Sequence, residues 1–182
     1  MATEIKVGLA GFGNVGKGTY DILKRNHSLI GQRAGAPISV KRVIVRNVDR
    51  VKPLVDEDVI VTNDWHDLVN DPEVNVVVEA MGGIEPAKSL ILAAINAGKH
   101  VVTANKALLA EHGNEIFSAA LAKGVNVAFE AAVAGSIPIV KALREGLAAN
   151  RVSSIAGIIN GTCNFILSTM RDTGRSFDDV LK

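Results

Sequence analysis

The chain has 182 residues, 48% of them hydrophobic, 21% charged and only 4% aromatic, enough for one packed domain and the beginning of another. Twenty basic and 19 acidic residues, for a formal net charge of +1, lie without a long run of either sign, which removes an electrostatic case for nucleic acid or a membrane surface. A single cysteine rules out an internal disulfide and fits a reducing cytoplasm, and neither a signal-peptide pattern nor an apolar run of membrane-spanning length is visible.

Ile5 to Ala10 is a short apolar run closed by Gly11 and reads as a buried strand. Val15 to Asn26 follows as a helix, with Val15, Thr19, Ile22 and Leu23 on one face. A loop over Gly31 to Pro37 leads to a second strand, Val40 to Val45. Val59 to Thr62 is a third, and Asp64 is placed to cap a short helix through Leu68 that stops at Asp71-Pro72. Val74 to Ala80 is the most continuous β-branched run, as a central parallel strand requires, and Gly82-Gly83 ends it. Pro86 opens a helix that Ala97-Gly98 closes. His100 to Ala104 is the next strand, a long helix runs to Ala122 before Gly124, and Val125 to Phe129 completes the series. Strands alternating with helices over short turns predict an α/β fold, a Rossmann-type doubly wound parallel sheet over residues 1–135.

The remainder, residues 136–182, is expected to begin a second, substrate-binding unit. Ser136 and Pro138 sit where the N-cap and first turn of a helix to Ala149 belong. Val152 to Asn160 reads as a strand and Thr162 to Arg171 as a helix, an α+β pattern. Ser176-Phe177-Asp178-Asp179 has the form of a fresh helix N-terminus shortly before Lys182, so the natural chain is expected to continue.

Gly11-Phe12-Gly13-Asn14-Val15-Gly16 matches G-x-G-x-x-G between a predicted strand and a predicted helix, the setting that gives the motif its weight. Gly11 permits the tight turn, Gly13 lets the backbone approach a pyrophosphate, and Gly16 lets helix and strand pack closely. The helix N-terminus supplies amide donors and partial positive charge. The second strand ends Val45-Arg46-Asn47 rather than in the acidic residue usual for NAD. Arg46 can clamp a 2′-phosphate, so NADP is favoured over NAD; the alternative leaves Arg46 and Arg50 in a solvated turn with Asp49 meeting the ribose.

Thr103-Ala104-Asn105-Lys106 lies at the carboxyl end of the fifth strand, where open α/β sheets bind ligands. A lysine there can stabilise the alkoxide that develops when a carbonyl receives hydride. As a plain surface residue it would be badly placed, since a helix N-terminus is already positive. Glu130 precedes a small-residue stretch whose carbonyls could join it around a hard cation, although spacing alone favours a capping or hydrogen-bonded glutamate. Cys163, near a helix N-terminus, could be the nucleophile of a semialdehyde dehydrogenase. Against this, no histidine follows it: His27, His66, His100 and His112 all lie upstream.

Taken together, Val7 to Asn26, Val78-Glu79-Ala80-Met81-Gly82-Gly83, Val102 to Leu108, Phe129 to Ala142 and Ile158 to Leu167 resemble bacterial homoserine dehydrogenase, in order and over essentially the whole chain. The resemblance implies NAD(P)-dependent interconversion of L-aspartate 4-semialdehyde and L-homoserine, on the route to threonine, methionine and isoleucine. It implies pyrophosphate on the Gly11 to Gly16 loop, Arg46 near the adenosine 2′ position, and Thr103 and Lys106 near nicotinamide and substrate. It further implies a monovalent cation (Na+) at Glu130 with the carbonyls of Val133, Gly135 and Ile137, and makes Cys163 structural. A homodimer or higher homo-oligomer is implied, with Val152 to Asn160 in a sheet across a two-fold axis. The family's acidic substrate motif and proton-donating lysine come after Lys182, so this piece alone is expected to turn over little.

Overall fold

The computed structural model describes residues 3–182, and the chain divides into two compact units, one running to Val140 and the other from Lys141. In the first, β1 (Ile5–Ala10), β2 (Ile38–Ile44), β3 (Ile60–Thr62), β4 (Val76–Glu79), β5 (His100–Thr103) and β6 (Val127–Ala128) make one sheet. Their order is β3-β2-β1-β4-β5-β6 and every pairing is parallel. The winding direction reverses between β1 and β4, which opens a crevice beyond the carboxyl ends of those two strands.

Adjacent strand residues serve opposite faces. Leu9, Val43 and Val78 pack with Tyr20, Val51 and Val59, while Ala10, Ile44 and Val77 pack with Leu90, Ile91, Leu108 and Ile116. Burial on both faces is why the central strands read as continuous apolar runs. Helices α1 (Asn14–Arg25) and α3 (Val48–Val51) supply the first layer; α4 (His66–Val69), α5 (Ala87–Asn96) and α6 (Lys106–Lys123) supply the second. Along α5, Ala87, Leu90, Ile91, Ala94 and Ile95 are fully buried and form one stripe of the helical period. Each such Leu or Ile contributes about 1.5–3 kcal/mol.

Local structure departs from the expected pattern in places. The loop expected over Gly31 to Pro37 is partly helical, because α2 (His27–Ala34) follows α1 with only Asn26 between them. After β2 the chain makes α3 and a 3-10 turn, Lys52–Leu54, started by the Asn47 side chain accepting the Arg50 N–H at 3.0 Å. The expected strand at Val74 begins later, at Val76, because the Val74 N–H first closes a turn onto the Asp71 carbonyl at 3.2 Å.

The loops leading into β4 and β5 hold a polar network. Arg42 donates to Asp71 at 2.6 Å, and the buried Lys99 ammonium donates to the carbonyls of Asp71 and Val74 at 2.7 Å each. Glu73 is held by Lys41 at 2.8 Å and by Lys6. The β1–β2 register skips Lys41, so Lys41 and Arg42 both reach this loop instead of pointing to opposite faces. Hydrogen bonds and charge from Lys41 and then Lys6 hold the Glu73 carboxyl down to about 2. Burial pushes Asp71 up, but the Arg42 hydrogen bond, the Glu73 N–H and the charges of Arg42 and Lys41 outweigh it and leave the carboxyl low. Burial lowers Lys99, opposed by the charge of Asp71.

The second unit is helical among the described residues: a π-helical turn at Ala142–Gly146, α9 (Gly161–Thr173) and α10 (Phe177–Leu181), numbered after α7 (Glu130–Val133) and α8 (Ile139–Lys141). The expected strand over Val152 to Asn160 is not formed. Residues 151–160 have no regular structure and lie exposed, Ile159 at 98%. β-branched residues favour a strand only where a neighbour completes its hydrogen bonds, and no strand is present among the described residues of this unit. The β component of the expected α+β unit is therefore missing here. Ser176 does start α10, its hydroxyl accepting the Asp179 N–H at 3.3 Å.

Candidate functional site

A cleft of about 700 Å3 occupies the crevice where the winding reverses. Its walls are the Gly11–Asn14 turn with Lys17, the end of β2 with Arg46, Asn47 and Arg50, the turn after β4 at Ala80–Gly82, and Trp65. Of the predicted glycine-loop residues, Gly11, Phe12, Gly13 and Asn14 line the cleft, whereas Val15 and Gly16 do not.

The three glycines act by three distinct constraints. Gly11 adopts φ +98, and a Cβ there would stand 2.5 Å from the Ala80 carbonyl oxygen, so it seats β1 against β4. A Cβ on Gly16 would stand 2.0 Å from the Gly11 carbonyl oxygen, so α1 can leave the strand only over a bare backbone. A Cβ on Gly13 would meet nothing within 4 Å. Nothing in the fold asks for glycine at 13; the open space in front of it suits a ligand that approaches the backbone. Gly13 is also the N-cap of α1, which has no side-chain cap and no acidic residue in its first turn. Those amides are the kind that bind phosphate.

Arg46 and Arg50 both line the cleft, and neither side chain has an ion-pair partner among the described residues. Asp49, the alternative ribose contact, lies outside the lining. Lys52 instead donates to the Val59 carbonyl at 3.2 Å. Trp65, with His66 stacked on it at a centroid distance of 3.8 Å, forms an aromatic wall.

Thr103, expected as a cofactor contact, turns its side chain into the protein rather than into this cleft. Its side chain is buried and donates to the Glu79 carboxylate at 2.6 Å, and it is not part of the cleft lining. Alternation along β5 explains this, since Val101 and Thr103 face inward while His100 and Val102 are exposed. Lys106 is the first residue of α6, exposed and outside the lining of this cleft. Asn105 caps the helix, its side-chain oxygen accepting the Leu108 N–H at 3.2 Å. Glu79, which sequence reasoning did not single out, is fully buried and accepts three hydrogen bonds.

Glu130 opens the single turn α7, and its carboxylate accepts the Val140 N–H at 2.8 Å. Glu130 thus does the capping expected of Ser136, which lies in the left-handed region at φ 65 and cannot serve as an extended N-cap. The helix expected from there to Ala149 starts later, at Ile139. Of the carbonyls expected to join Glu130, that of Ile137 accepts the Ile139 N–H at 2.8 Å. No cluster of three or more His, Cys, Asp or Glu side chains able to hold a metal occurs among the described residues.

Cys163 is exposed, its backbone N–H capped by Asn160 at 2.9 Å. The histidines have structural partners where contacts are seen: His66 with Asp64, His100 accepting the Asn126 N–H, and His112 near Glu115. No helix among the described residues is long and apolar enough to cross a membrane.

A parallel sheet of this order, with a glycine turn leading into an uncapped helix at its reversal point, defines a nicotinamide-dinucleotide-binding domain of the Rossmann class. Comparison with known proteins narrows the class. Residues 11–130 match the family model for the homoserine dehydrogenase NAD-binding domain, and residues 138–182 match that for homoserine dehydrogenase. The chain belongs to the homoserine dehydrogenase family. It is 56% identical over 178 residues to homoserine dehydrogenase of Pseudomonas aeruginosa, covering 97% of this chain and 40% of that protein. The crystal structure of a homoserine dehydrogenase from Thiobacillus denitrificans superposes with a TM-score of 0.90 at 59% identity, covering 98% of this chain and 41% of that one. A hyperthermophilic archaeal homoserine dehydrogenase in complex with NADPH shares the fold at a TM-score of 0.81 and 23% identity, over 98% of this chain and 60% of that one. The chain thus spans about 40% of the length of the curated relatives it matches.

Proposed function

We propose that this chain is the cofactor-binding part of a cytoplasmic enzyme that reduces L-aspartate 4-semialdehyde to L-homoserine, with NADPH preferred to NADH. The observation that carries it is the space before Gly13, a position the fold leaves open beside uncapped amides and two unpaired arginines. Gly11–Asn14 and the first turn of α1 would hold the pyrophosphate, and Arg46 would take the 2′-phosphate as a bidentate partner. Asp49 is not among the residues that line the cleft, which favours the arginine reading over the ribose one.

A bound reduced nicotinamide supplies the hydride. Lys106, at the carboxyl end of β5, holds a hydrogen bond to the carbonyl oxygen of the aldehyde and stabilises the alkoxide as charge develops there. The proton itself comes from the second lysine that the family resemblance implies after Lys182. Na+ belongs to the same reading, at Glu130 and the carbonyls of Val133, Gly135 and Ile137, where the backbone reverses at Ser136. So does a homodimer or higher homo-oligomer, in which the exposed Ile155, Ile158 and Ile159 gain the strand partner they lack.

Trp65 is the only tryptophan of the chain and lines the cleft, so its fluorescence reports occupancy directly. Titration with NADPH should quench it at lower concentration than NADH does. A flat signal with both nucleotides, in this chain and in the full-length protein, would sink the cofactor assignment.

A further inference from the structure

We propose that Glu79 is a positioning residue that ties the wall of the cofactor cleft to the helix bearing Lys106; the proposal rests on reading that cleft as a dinucleotide site. Glu79 ends β4 beside the reversal point and has no exposed surface. One carboxylate oxygen accepts the N–H groups of Met81 at 2.8 Å and Gly82 at 3.2 Å, successive amides of the turn that lines the cleft. The other accepts the Thr103 hydroxyl at 2.6 Å, at the end of β5. The Thr103 oxygen in turn accepts the Asn105 N–H at 3.0 Å. Asn105 closes the ring: its side-chain amide donates to the Gly83 carbonyl at 2.6 Å, and its oxygen caps α6 through Leu108.

The cleft turn at 80–83 and the first turn of α6 are therefore held by one closed circuit of hydrogen bonds, with Lys106 directly after Asn105. A dinucleotide with its adenosine over β2 and its pyrophosphate on α1 extends its nicotinamide half toward β4, over that turn. Glu79 touches neither the cleft nor Lys106 and acts through both neighbours. Burying a carboxyl group is costly unless its oxygens are satisfied, and here both are used. Glutamine changes the circuit: its one acceptor oxygen can keep the two amides, but its NH2 then donates to Thr103 Oγ1. That bond is reversed, its charge assistance is lost and the Thr103 hydroxyl proton loses Glu79 as acceptor.

The test uses the full-length enzyme and 2′,5′-ADP as a probe of the adenosine side alone. Glu79→Gln should bind 2′,5′-ADP within about two-fold of wild type, while kcat falls by about ten-fold or more with a smaller change in KM for the semialdehyde. Thr103→Val, nearly isosteric, should reproduce the kcat loss, and Thr103→Ser, which restores the hydroxyl, should rescue most of it; this pair carries the test if Glu79→Gln does not fold. Wild-type kcat in Glu79→Gln or Thr103→Val, or parallel loss of kcat and 2′,5′-ADP affinity, overturns the positioning role and leaves the cofactor reading standing. Failure of the wild-type enzyme to bind 2′,5′-ADP or NADPH removes the cofactor reading and this inference with it.

Discussion

At the side of the sheet where β4 and β5 begin, charge is matched: the buried Asp71 meets Arg42, the buried Lys99 meets two carbonyls, and the exposed Glu73 is shared by two lysines. At the opposite side, where β1, β2 and β4 end, Arg46 and Arg50 face a cleft without a carboxylate partner, and Gly13 faces open space. The first arrangement holds loops in place and leaves no capacity for a ligand. The second leaves donors and positive charge unmatched, which on the proposed reading a phosphorylated ligand would take up. The comparison teaches that stability and binding are separable here, each assigned to one end of the same strands.

The strongest way to break that division is Asp71→Asn, which takes the carboxylate from Arg42 and the nearby negative charge from Lys99, whose bonds to the carbonyls of Asp71 and Val74 remain. Removing one partner of a buried pair costs about 3–5 kcal/mol, to be read by urea denaturation, whereas nucleotide affinity of the folded fraction should not change. Coupled loss of both would show the two ends to be one system. Gly13→Ala is the reciprocal experiment: with nothing within 4 Å of the new Cβ, the melting temperature should hold. NADPH affinity should drop about ten- to a hundred-fold, equivalent to about 1.4–2.8 kcal/mol. Arg46→Asp sharpens the picture further, moving the ratio of NADPH to NADH affinities by about ten-fold toward NADH; an unchanged ratio removes Arg46 from cofactor choice.

The smallest effect is one of pH. Glu73 titrates at about 2 in the fold against an ordinary 4.5, and Asp71 also lies below its ordinary 3.8. The unfolded chain then binds more protons across this interval, so the contribution is complete above the ordinary carboxylate range and is lost as pH falls toward 2. Acid unfolding of Lys41→Ala should begin at a higher pH than in wild type. Coincident acid transitions would remove the Lys41–Glu73 pair as a contributor.

The strand, glycine turn and helix from Ile5 to Arg25 were legible because the apolar run, the glycine spacing and the helix start are local in sequence, even though the carbonyl that Gly11 sits against, Ala80, is not. Arg46 was legible too, since a strand end followed by a basic residue needs no tertiary information. α2 was not: it buries no residue and has no acidic start, so neither periodicity nor capping marks it. Val152 to Asn160 shows the converse, a strand sequence with no partner strand among the described residues of its unit. Thr103 could have been placed by extending the alternation of β5 from Val101, whereas the role of Glu79 depends on a hydroxyl on the neighbouring strand. The sole local hint was a carboxylate at the end of an apolar, β-branched run.

Positions 13 and 16 look alike in the motif and differ in what forbids change. Every amino acid except glycine carries the Cβ that would meet the Gly11 oxygen at 2.0 Å, so position 16 has an alphabet of one letter for as long as the fold persists. Position 13 meets no such barrier in the fold and, on the proposed reading, answers only to the nucleotide. In a lineage that stopped using the nucleotide, codon 13 would drift first while codon 16 stayed fixed, so the pair dates the loss of activity separately from the loss of the protein.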